Sequence, residues 1–481
     1  MKKFILAFSL SLASLAAITF PLTRRVAAAL PLPQAASDDS LASIRRSDAT
    51  SRDNQGKLGR LAAGEHLRRA NIYMTNRAFA EAREHWQALL TFYPQDSGVP
   101  EALLGIGRSY FQDRRYQEAF TFLDRVARAY PRTKEGREGL NFSAAASLRM
   151  GQLNQAVDRY REYTEEYPSG ERFESAHLNL IDTLREAGRP TEAIQWIART
   201  REKFAGTATD TNALFARLRL DVAEANWKHA ITTADELISK RFVKGVLTTA
   251  PEVLYLKAYS LEQAGRKEEA LSAYSNINDS LDSYYGWLAT ERLGSMSTSK
   301  DQAAVRQRSN RVAAQAAGGS SLFPAPYRAA LVRAATTRKL DPRFILAIIK
   351  QESVFKPFAK SPSGARGLLQ LTIDAAQRYA NDAGLSGVRE SQLYRPETSI
   401  LLGSQYLAEL FRLFPNQPEA VAASYNGGED NVARWVKRAK HTDPGVFTAE
   451  IGFEETKGYV QKVMANYRAY QQLYTANLTP R

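Results

Sequence analysis

The sequence of 481 residues contains no cysteine. This absence excludes disulfide bonds, thiolate metal sites, zinc fingers and the lipid-accepting cysteine of a lipoprotein. The sequence also lacks any run of lysine and arginine interleaved with aromatic residues, so no motif predicts a nucleic-acid partner. We expect neither a metal ion nor another cofactor.

Positive charge exceeds negative charge, with 65 Lys and Arg against 51 Asp and Glu and a net charge of +14. Such a surplus favours polyanionic partners, among them nucleic acid, an acidic membrane surface or a carboxylate-rich polymer. The hydrophobic share of 44% is enough for buried cores. The length predicts two or three domains rather than one.

The amino terminus has the order of a secretory signal. Two lysines precede an uncharged apolar run over residues 4–22, and three alanines follow at 27–29. We expect residues 1–29 to act as a cleaved signal peptide or as a membrane anchor, because the run approaches the ~20 residues that span a bilayer. Either outcome places the protein in the periplasm or cell envelope. Residues 30–59 are rich in small and polar residues and predict a flexible tether.

A repeat begins near residue 60. An aromatic residue followed by proline, and an acidic or amide residue followed by alanine, each recur every 37 residues. The first series is Tyr93-Pro94, Tyr130-Pro131 and Tyr167-Pro168, continued by Phe204. The second series is Glu81-Ala82, Glu118-Ala119, Gln155-Ala156 and Glu192-Ala193, with a further copy at Glu269-Ala270. Each unit is typical of a helix, a turn and a second helix, and Gly188 stands where a left-handed helix cap belongs.

These units resemble the tetratricopeptide repeat, a helical hairpin of about 34 residues that is lengthened here by three. Because such hairpins bury their apolar faces only by stacking, we expect residues 60–295 to form a curved all-helical solenoid whose concave groove is lined by packing residues. Residues 296–321 are rich in Ser, Ala, Gly and Gln and predict a linker that contains a helix and a flexible end. We expect the following domain, residues 322–481, to draw its core from its own helices.

A helix predicted to begin at Asp341 carries Glu352 in its last turn. Ile345, Ile348, Ile349 and Glu352 follow helical spacing, so Glu352 points toward the core. Burial and the negative end of the helix dipole both raise the pKa of a carboxyl, as a general acid near neutral pH requires. The alternative is a frayed helix end with Glu352 in water.

Motifs at and after this glutamate match a known family. The stretch QESVFKPFAKSPSGARGLLQLT, followed by AASYNGGEDNVARW and EIGFEETKGYV, resembles the catalytic domain of the soluble lytic murein transglycosylases. The four motifs are Glu352-Ser353, Gly367-Leu368-Leu369-Gln370, Ser424-Tyr425-Asn426, and Glu455-Thr456-Lys457 with Tyr459-Val460. The sequence departs from the family with Leu369 for Met, Ser424 for Ala, Lys457 for Arg and Gly452 for Pro. The resemblance covers about residues 322–475 and implies an all-α fold: a repeat solenoid followed by a domain similar to goose-type lysozyme.

The resemblance implies that Glu352 is the catalytic acid and base. Tyr425 is expected to offer its hydroxyl to Glu352. Ser353 and Gln370 would orient Glu352 or hold backbone and sugar groups. The turn over residues 364–367 would let the glycan approach the main chain closely.

Two further site residues each have two interpretations. Asn426 is either a helix cap or a substrate contact. Glu455 is either a buried structural carboxylate, which we favour, or a residue that tunes Glu352.

The function implied is that of a lytic transglycosylase, which cleaves the β-1,4 bond after N-acetylmuramic acid in peptidoglycan and leaves 1,6-anhydro ends, in turnover or remodelling of the cell wall. A hydrolytic muramidase is the alternative; it would need a second carboxylate ~5 to 9.5 Å away, for which Asp374, Asp382, Glu390 and Glu397 are candidates. A non-catalytic envelope scaffold would only bind glycan. The expected partners are glycan strands, envelope proteins bound through the repeats, and the membrane surface.

Overall fold

The computed structural model describes residues 38–298 and 302–481, which form 23 α-helices, two short 3-10 turns and no strand. The all-α prediction is confirmed. The first half contains α1 Asp38–Ser51, α2 Ala63–Thr75, α3 Phe79–Phe92, α4 Val99–Gln112, α5 Tyr116–Ala129, α6 Lys134–Arg149, α7 Leu153–Glu166, α8 Phe173–Glu186, α9 Pro190–Lys203, α10 Ala208–Ala223, α11 Trp227–Ser239, α12 Ala250–Gln263 and α13 Lys267–Ser275. The second half contains α14 Tyr284–Met296, α15 Gln302–Gly318, α16 Arg328–Arg338, α17 Pro342–Ser353, α18 Ile373–Ala380, α19 Pro396–Leu413, α20 Pro418–Gly427, α21 Glu429–Ala439, α22 Pro444–Ala449 and α23 Glu454–Leu473.

Helices α2 to α13 pair into six hairpins, as the repeat predicts. The alanine that recurs in the second helix of each hairpin is fully buried, because a small residue lets neighbouring helices pack closely. These alanines are Ala82, Ala119, Ala156, Ala193, Ala230 and Ala270. The sequence pattern missed the α10–α11 hairpin because its pair is His229-Ala230. Gly188 takes the expected left-handed conformation, with φ of 69°.

The predicted tether is wrong over the residues that the structure describes. Helix α1 occupies Asp38–Ser51 and packs on the first hairpin through Ile44, which is 6% exposed. The buried Asp48 carboxylate accepts hydrogen bonds from Arg69 and Tyr73 and lies 3.0 Å from a ring nitrogen of His85. A buried carboxylate needs such partners, so these contacts fix α1 in place. The predicted signal or anchor at 1–29 lies outside the described residues.

The last repeats and the C-terminal helices share one hydrophobic core. Tyr255 and Tyr285, on α12 and α14, belong to the same buried cluster as Ile345 and Val460, on α17 and α23. The expectation that residues 322–481 draw their core from their own helices is therefore wrong. Helix α15, inside the predicted linker, also buries Val312 and Ala316 and contacts α14 and α23. The fold that positions the site thus includes the end of the solenoid.

Ion pairs join helix α21 and its C-cap to the C-terminal ends of three first helices of the repeats, α4, α8 and α10. Arg114 contacts Glu429 at 2.9 Å, Arg434 contacts Glu186 at 2.6 Å, and Lys440 contacts Glu224 at 2.7 Å. The C-terminal helices are thereby held against the second, fourth and fifth hairpins of the solenoid. Within residues 38–298 and 302–481, no helix has the length and apolar character needed to cross a membrane.

Candidate active site

Helix α17 presents Glu352 from a buried scaffold. The Asp341 side chain caps the helix by accepting a hydrogen bond from the Arg343 amide at 2.9 Å. Ile345, Ile348 and Ile349 are fully buried, as their spacing predicts. The helix ends immediately after the glutamate, where the chain turns sharply into a loop.

Two consecutive residues of that turn adopt left-handed conformations, Val354 with φ of 48° and Phe355 with φ of 60°. A β-branched residue is strained in this region, and such strain is typical of functional sites. Val354 is also 65% exposed, so its side chain contributes little packing in return. No sequence pattern predicted this strain.

Glu352 is half-buried, and its Oε1 accepts a hydrogen bond of 2.7 Å from the hydroxyl of Tyr459. Loss of water around the carboxyl raises its pKa to about 7, although the Tyr459 hydrogen bond acts in the opposite direction. The negative charge of Glu455 adds to the rise. Glu352 is therefore not a frayed residue in open water, and it can hold a proton near neutral pH.

Tyr459, rather than Tyr425, supplies the hydroxyl that meets Glu352. The Tyr425 hydroxyl donates instead to the Leu369 carbonyl at 2.6 Å, and its ring lies 5.1 Å from that of Tyr406. The predicted hydrogen bond from Tyr425 is thus replaced by one from the fourth motif. Tyr459 was visible in that motif, but sequence spacing could not decide which of two tyrosines reaches the carboxylate.

Two other predicted site residues, Ser353 and Gln370, form hydrogen bonds with backbone carbonyls. Ser353 Oγ donates to the Ile349 carbonyl of its own helix at 3.2 Å. Gln370 Nε2 donates to the carbonyls of Ala359 and Gly367 at 3.1 and 2.9 Å, so it fastens the loop that follows α17. These two side chains order the walls around Glu352 without contacting it.

Asn426 is not the cap of α20, and Glu455 is not buried. Asn426 lies within the end of α20, where its Oδ1 accepts a hydrogen bond from Thr456 Oγ1 at 2.7 Å. Glu455 is exposed, so the preferred interpretation as a buried structural carboxylate is wrong. Its effect on the pKa of Glu352 agrees with the second interpretation, that of a tuning residue.

Gly367 serves the packing of the loop. Its φ is 78°, and a Cβ at this position would lie 2.0 Å from the Leu393 carbonyl oxygen. Gly364 shares the left-handed conformation, and a Cβ there would make only an ordinary contact, at 3.8 Å with Arg366 Nη1. Gly364 therefore leaves room for a glycan to approach the main chain closely. Gly367 is explained by packing against Leu393 alone.

An exposed phenylalanine on the same loop, paired with a partly buried tyrosine of the 3-10 turn 390–394, was missed by the sequence reasoning. Phe358 is 78% exposed, and its ring centre lies 5.9 Å from that of Tyr394. Phe358 precedes Ala359, the residue whose carbonyl Gln370 holds. Phe358 therefore offers an exposed apolar surface on the loop that follows α17.

The arrangement can deliver a proton and stabilise the carboxylate that remains. Across the described ranges 38–298 and 302–481, no group of three or more His, Asp or Glu side chains is arranged to hold a metal ion. Tyr459 can donate to the ionised form of Glu352, which favours release of the proton once a substrate oxygen is in place. This is the chemistry of general acid catalysis.

Residues 330–447 match the transglycosylase SLT domain family, and residues 67–132 and 144–208 match a tetratricopeptide repeat family. The soluble lytic murein transglycosylase of Escherichia coli K12 is 34% identical over 154 residues, which make up 32% of this chain and 24% of that protein. The membrane-bound lytic murein transglycosylase C of Salmonella arizonae is 30% identical over 154 residues, or 28% of this chain and 43% of that protein. The chain thus spans about a quarter of the length of the soluble relatives it matches.

A solved structure of an inactive variant of lytic transglycosylase Slt from Pseudomonas aeruginosa is similar over 91% of this chain and 89% of that one, with a TM-score of 0.51 and 18% identity. This likeness extends the shared fold across both the repeats and the C-terminal helices. Together with the two family matches, it shows that the chain joins tetratricopeptide repeats to a transglycosylase SLT domain, and that this domain carries Glu352.

Proposed function

We propose that the protein is a lytic transglycosylase of peptidoglycan, with Glu352 as its catalytic acid and base. The observation that carries the proposal is the half-buried Glu352 carboxyl, whose pKa lies at about 7 and whose Oε1 accepts from Tyr459. A carboxyl with this pKa is protonated in a useful fraction of molecules at neutral pH and is still a competent base after it has lost the proton.

In the first step, Glu352 gives its proton to the glycosidic oxygen between N-acetylmuramic acid and N-acetylglucosamine. The bond between that oxygen and C1 breaks, and an oxocarbenium-like centre forms at C1 of the muramic acid. The departing oxygen keeps the proton as a new hydroxyl. Tyr459 stabilises the Glu352 carboxylate left behind.

In the second step, the Glu352 carboxylate accepts the proton of the muramic acid's own C6 hydroxyl while that oxygen bonds to C1. The product carries a 1,6-anhydro ring, and Glu352 is again protonated. An intramolecular attack of this kind reaches effective molarities of about 10⁵ to 10⁸ M when it is well aligned, so it can outcompete water. No second carboxylate is required.

Hydrolysis is the alternative reaction, and it would need one of four other acidic residues to act together with Glu352. Asp374, Asp382, Glu390 and Glu397 are all exposed, and Glu390 pairs with Arg366 at 2.7 Å. None of them contributes to the raised pKa of Glu352, whereas Glu455 does. The electrostatics of Glu352 therefore give no support to any of these four residues as a second working carboxylate.

Digestion of purified peptidoglycan in ¹⁸O water tests the reaction. Mass spectrometry should find anhydro ends without label, in products lighter by one water than those of a hydrolase. Reducing ends that carry the label would show that the protein is a hydrolytic muramidase instead. The Glu352→Gln variant is the control: it should bind sacculi and release nothing, whereas a wild-type protein that binds without cleaving would indicate a scaffold.

We further infer that the protein works in the periplasm or cell envelope. The order of its first 29 residues supports export. The repeats offer surfaces for envelope proteins, and the net charge of +14 favours the carboxylates of peptide stems. Cell fractionation with an antibody to the chain tests the location; recovery from the cytoplasm would contradict it.

A further inference from the structure

Lys457, in the first turn of α23, inserts its side chain into the solenoid. Its Nζ donates to Glu252 Oε1 at 2.9 Å and to the Leu247 carbonyl at 3.1 Å. Glu252 belongs to α12, in the sixth hairpin. Lys457 is 7% exposed and Glu252 is fully buried. Helix α23 of the C-terminal domain is therefore anchored by the Glu252 carboxylate, which belongs to the repeats.

The anchor on the solenoid side is itself rigidly held. Glu252 Oε1 also accepts from the Tyr285 hydroxyl at 3.0 Å, and its Oε2 accepts from Thr248 Oγ1 at 2.8 Å. The Lys457 ammonium lies 4.8 Å from the centre of the Phe215 ring, on α10. Both oxygens of the carboxylate are thus occupied, so neither Glu252 nor Lys457 can move without breaking several buried contacts.

The same turns of α23 contain the groups that meet the active site. Thr456 bonds to Asn426, Glu455 acts on the charge of Glu352, and Tyr459 donates to Glu352. Successive helical residues are about 100° apart, so Lys457 and Tyr459 point to roughly opposite sides and lie only ~3 Å apart along the axis. A fixed Lys457 on the solenoid side thereby sets the position of Tyr459 on the groove side.

We infer that Glu252 is a positioning residue for the reaction: through Lys457 it fixes the start of α23 so that the Tyr459 hydroxyl meets Glu352. The inference rests on the proposed function. It gives the solenoid a role in assembling the active site as well as in guiding the glycan. A catalytic group must be held within about 0.5 Å of its productive position, which a buried charge pair two residues away can enforce.

Glu252→Gln is the test variant, because the amide keeps the shape and one acceptor but removes the charge. We expect kcat on purified peptidoglycan to fall about 10- to 100-fold, the range ascribed to misplacement by up to 1 Å, with KM changed less than about twofold. The groups that face Glu352 are Tyr459, Glu455 and Tyr425. Since a displaced Tyr459 no longer stabilises the Glu352 carboxylate, the alkaline limb of the pH profile of kcat/KM should move to higher pH.

Asp279→Asn provides a matched control, because Asp279 lies outside α23 and forms another ion pair with that helix. Asp279 is 3% exposed and holds Arg468, also on α23, at 2.6 and 2.9 Å. Arg468 lies ~16 Å further along the helix axis than Lys457, away from Tyr459. Loss of this pair should lower the melting temperature about as much as Glu252→Gln does. It should leave the pH profile of kcat/KM unchanged.

A double variant separates positioning from stability. Replacement of a buried ion pair by apolar residues is often neutral for stability. Glu252→Leu with Lys457→Met should therefore recover the melting temperature, while kcat stays low because the hydrogen bonds that fix α23 are gone. Recovery of kcat and of the pH profile in the double variant would overturn the inference, as would a normal pH profile in Glu252→Gln. Wild-type protein that releases no anhydro products would instead refute the proposed function, so the two failures are distinguishable.

Discussion

Replacement of Glu352 with Gln should make the protein more stable at alkaline pH while it abolishes cleavage. The pKa of Glu352 is raised from 4.5 to about 7 in the folded protein. Below pH 4.5 the carboxyl is protonated in both the folded and the unfolded chain, so it carries no penalty. As the pH rises toward 7, the unfolded chain releases the proton first, and the free energy of unfolding decreases.

The size of this effect follows from the shift. A difference of about 2.5 pKa units corresponds to ~3 kcal/mol of unfolding free energy lost between pH 4.5 and pH 8, at 1.36 kcal/mol per unit. An unfolding entropy of about 2.1 cal/mol/K per residue gives ~1 kcal/mol/K for a chain of this length, so the melting temperature should change by ~3 °C. Gln does not ionise, so the variant escapes this loss.

Thermal melts of wild-type protein and of Glu352→Gln from pH 5 to pH 8 measure the difference. The variant should gain relative to wild type as the pH rises, reaching about 3 °C by pH 8. Glu419→Gln is a matched control: burial raises the pKa of Glu419 to about 7 as well, and its carboxyl accepts from Tyr284 at 3.3 Å rather than facing the groove. It should show a similar gain and keep its lytic activity. A constant difference between Glu352→Gln and wild type across this range would refute the raised pKa and remove the basis for Glu352 as the acid.

Three further predictions follow from the site and the shared core. Tyr459→Phe should raise the pKa of Glu352 by about one to two units, since a hydrogen bond to a charged group is worth ~1.5 to 3 kcal/mol; a pH–rate profile with an unmoved alkaline limb would contradict the contact. Phe358→Ala should weaken binding of sacculi in a pull-down assay without lowering the melting temperature, because the ring is 78% exposed; unchanged binding would exclude it from the groove surface. Residues 322–481 expressed alone should lack a cooperative melt by circular dichroism, because α12 and α14 complete their core; a sharp transition would restore the case for an independent domain.

The sequence by itself determined the type of each element and the chemistry available. The recurrence of two dipeptide patterns every 37 residues predicted helical hairpins, and the alanine that recurs in each second helix is fully buried. The isoleucines of α17 placed Glu352 at the edge of a buried face. These are local properties, since helical periodicity states which face of a helix a residue occupies.

Tertiary structure decided which residues meet across helices. Tyr425 and Tyr459 are both compatible with a hydrogen bond to Glu352, and only the packing of α23 on α17 and of α20 on α23 selects Tyr459. Periodicity likewise could not place Lys457 against Glu252, more than 200 residues earlier in the chain. Contacts of this kind depend on the packing of helices that are distant in sequence, and that packing is set by the whole shared core rather than by any local pattern.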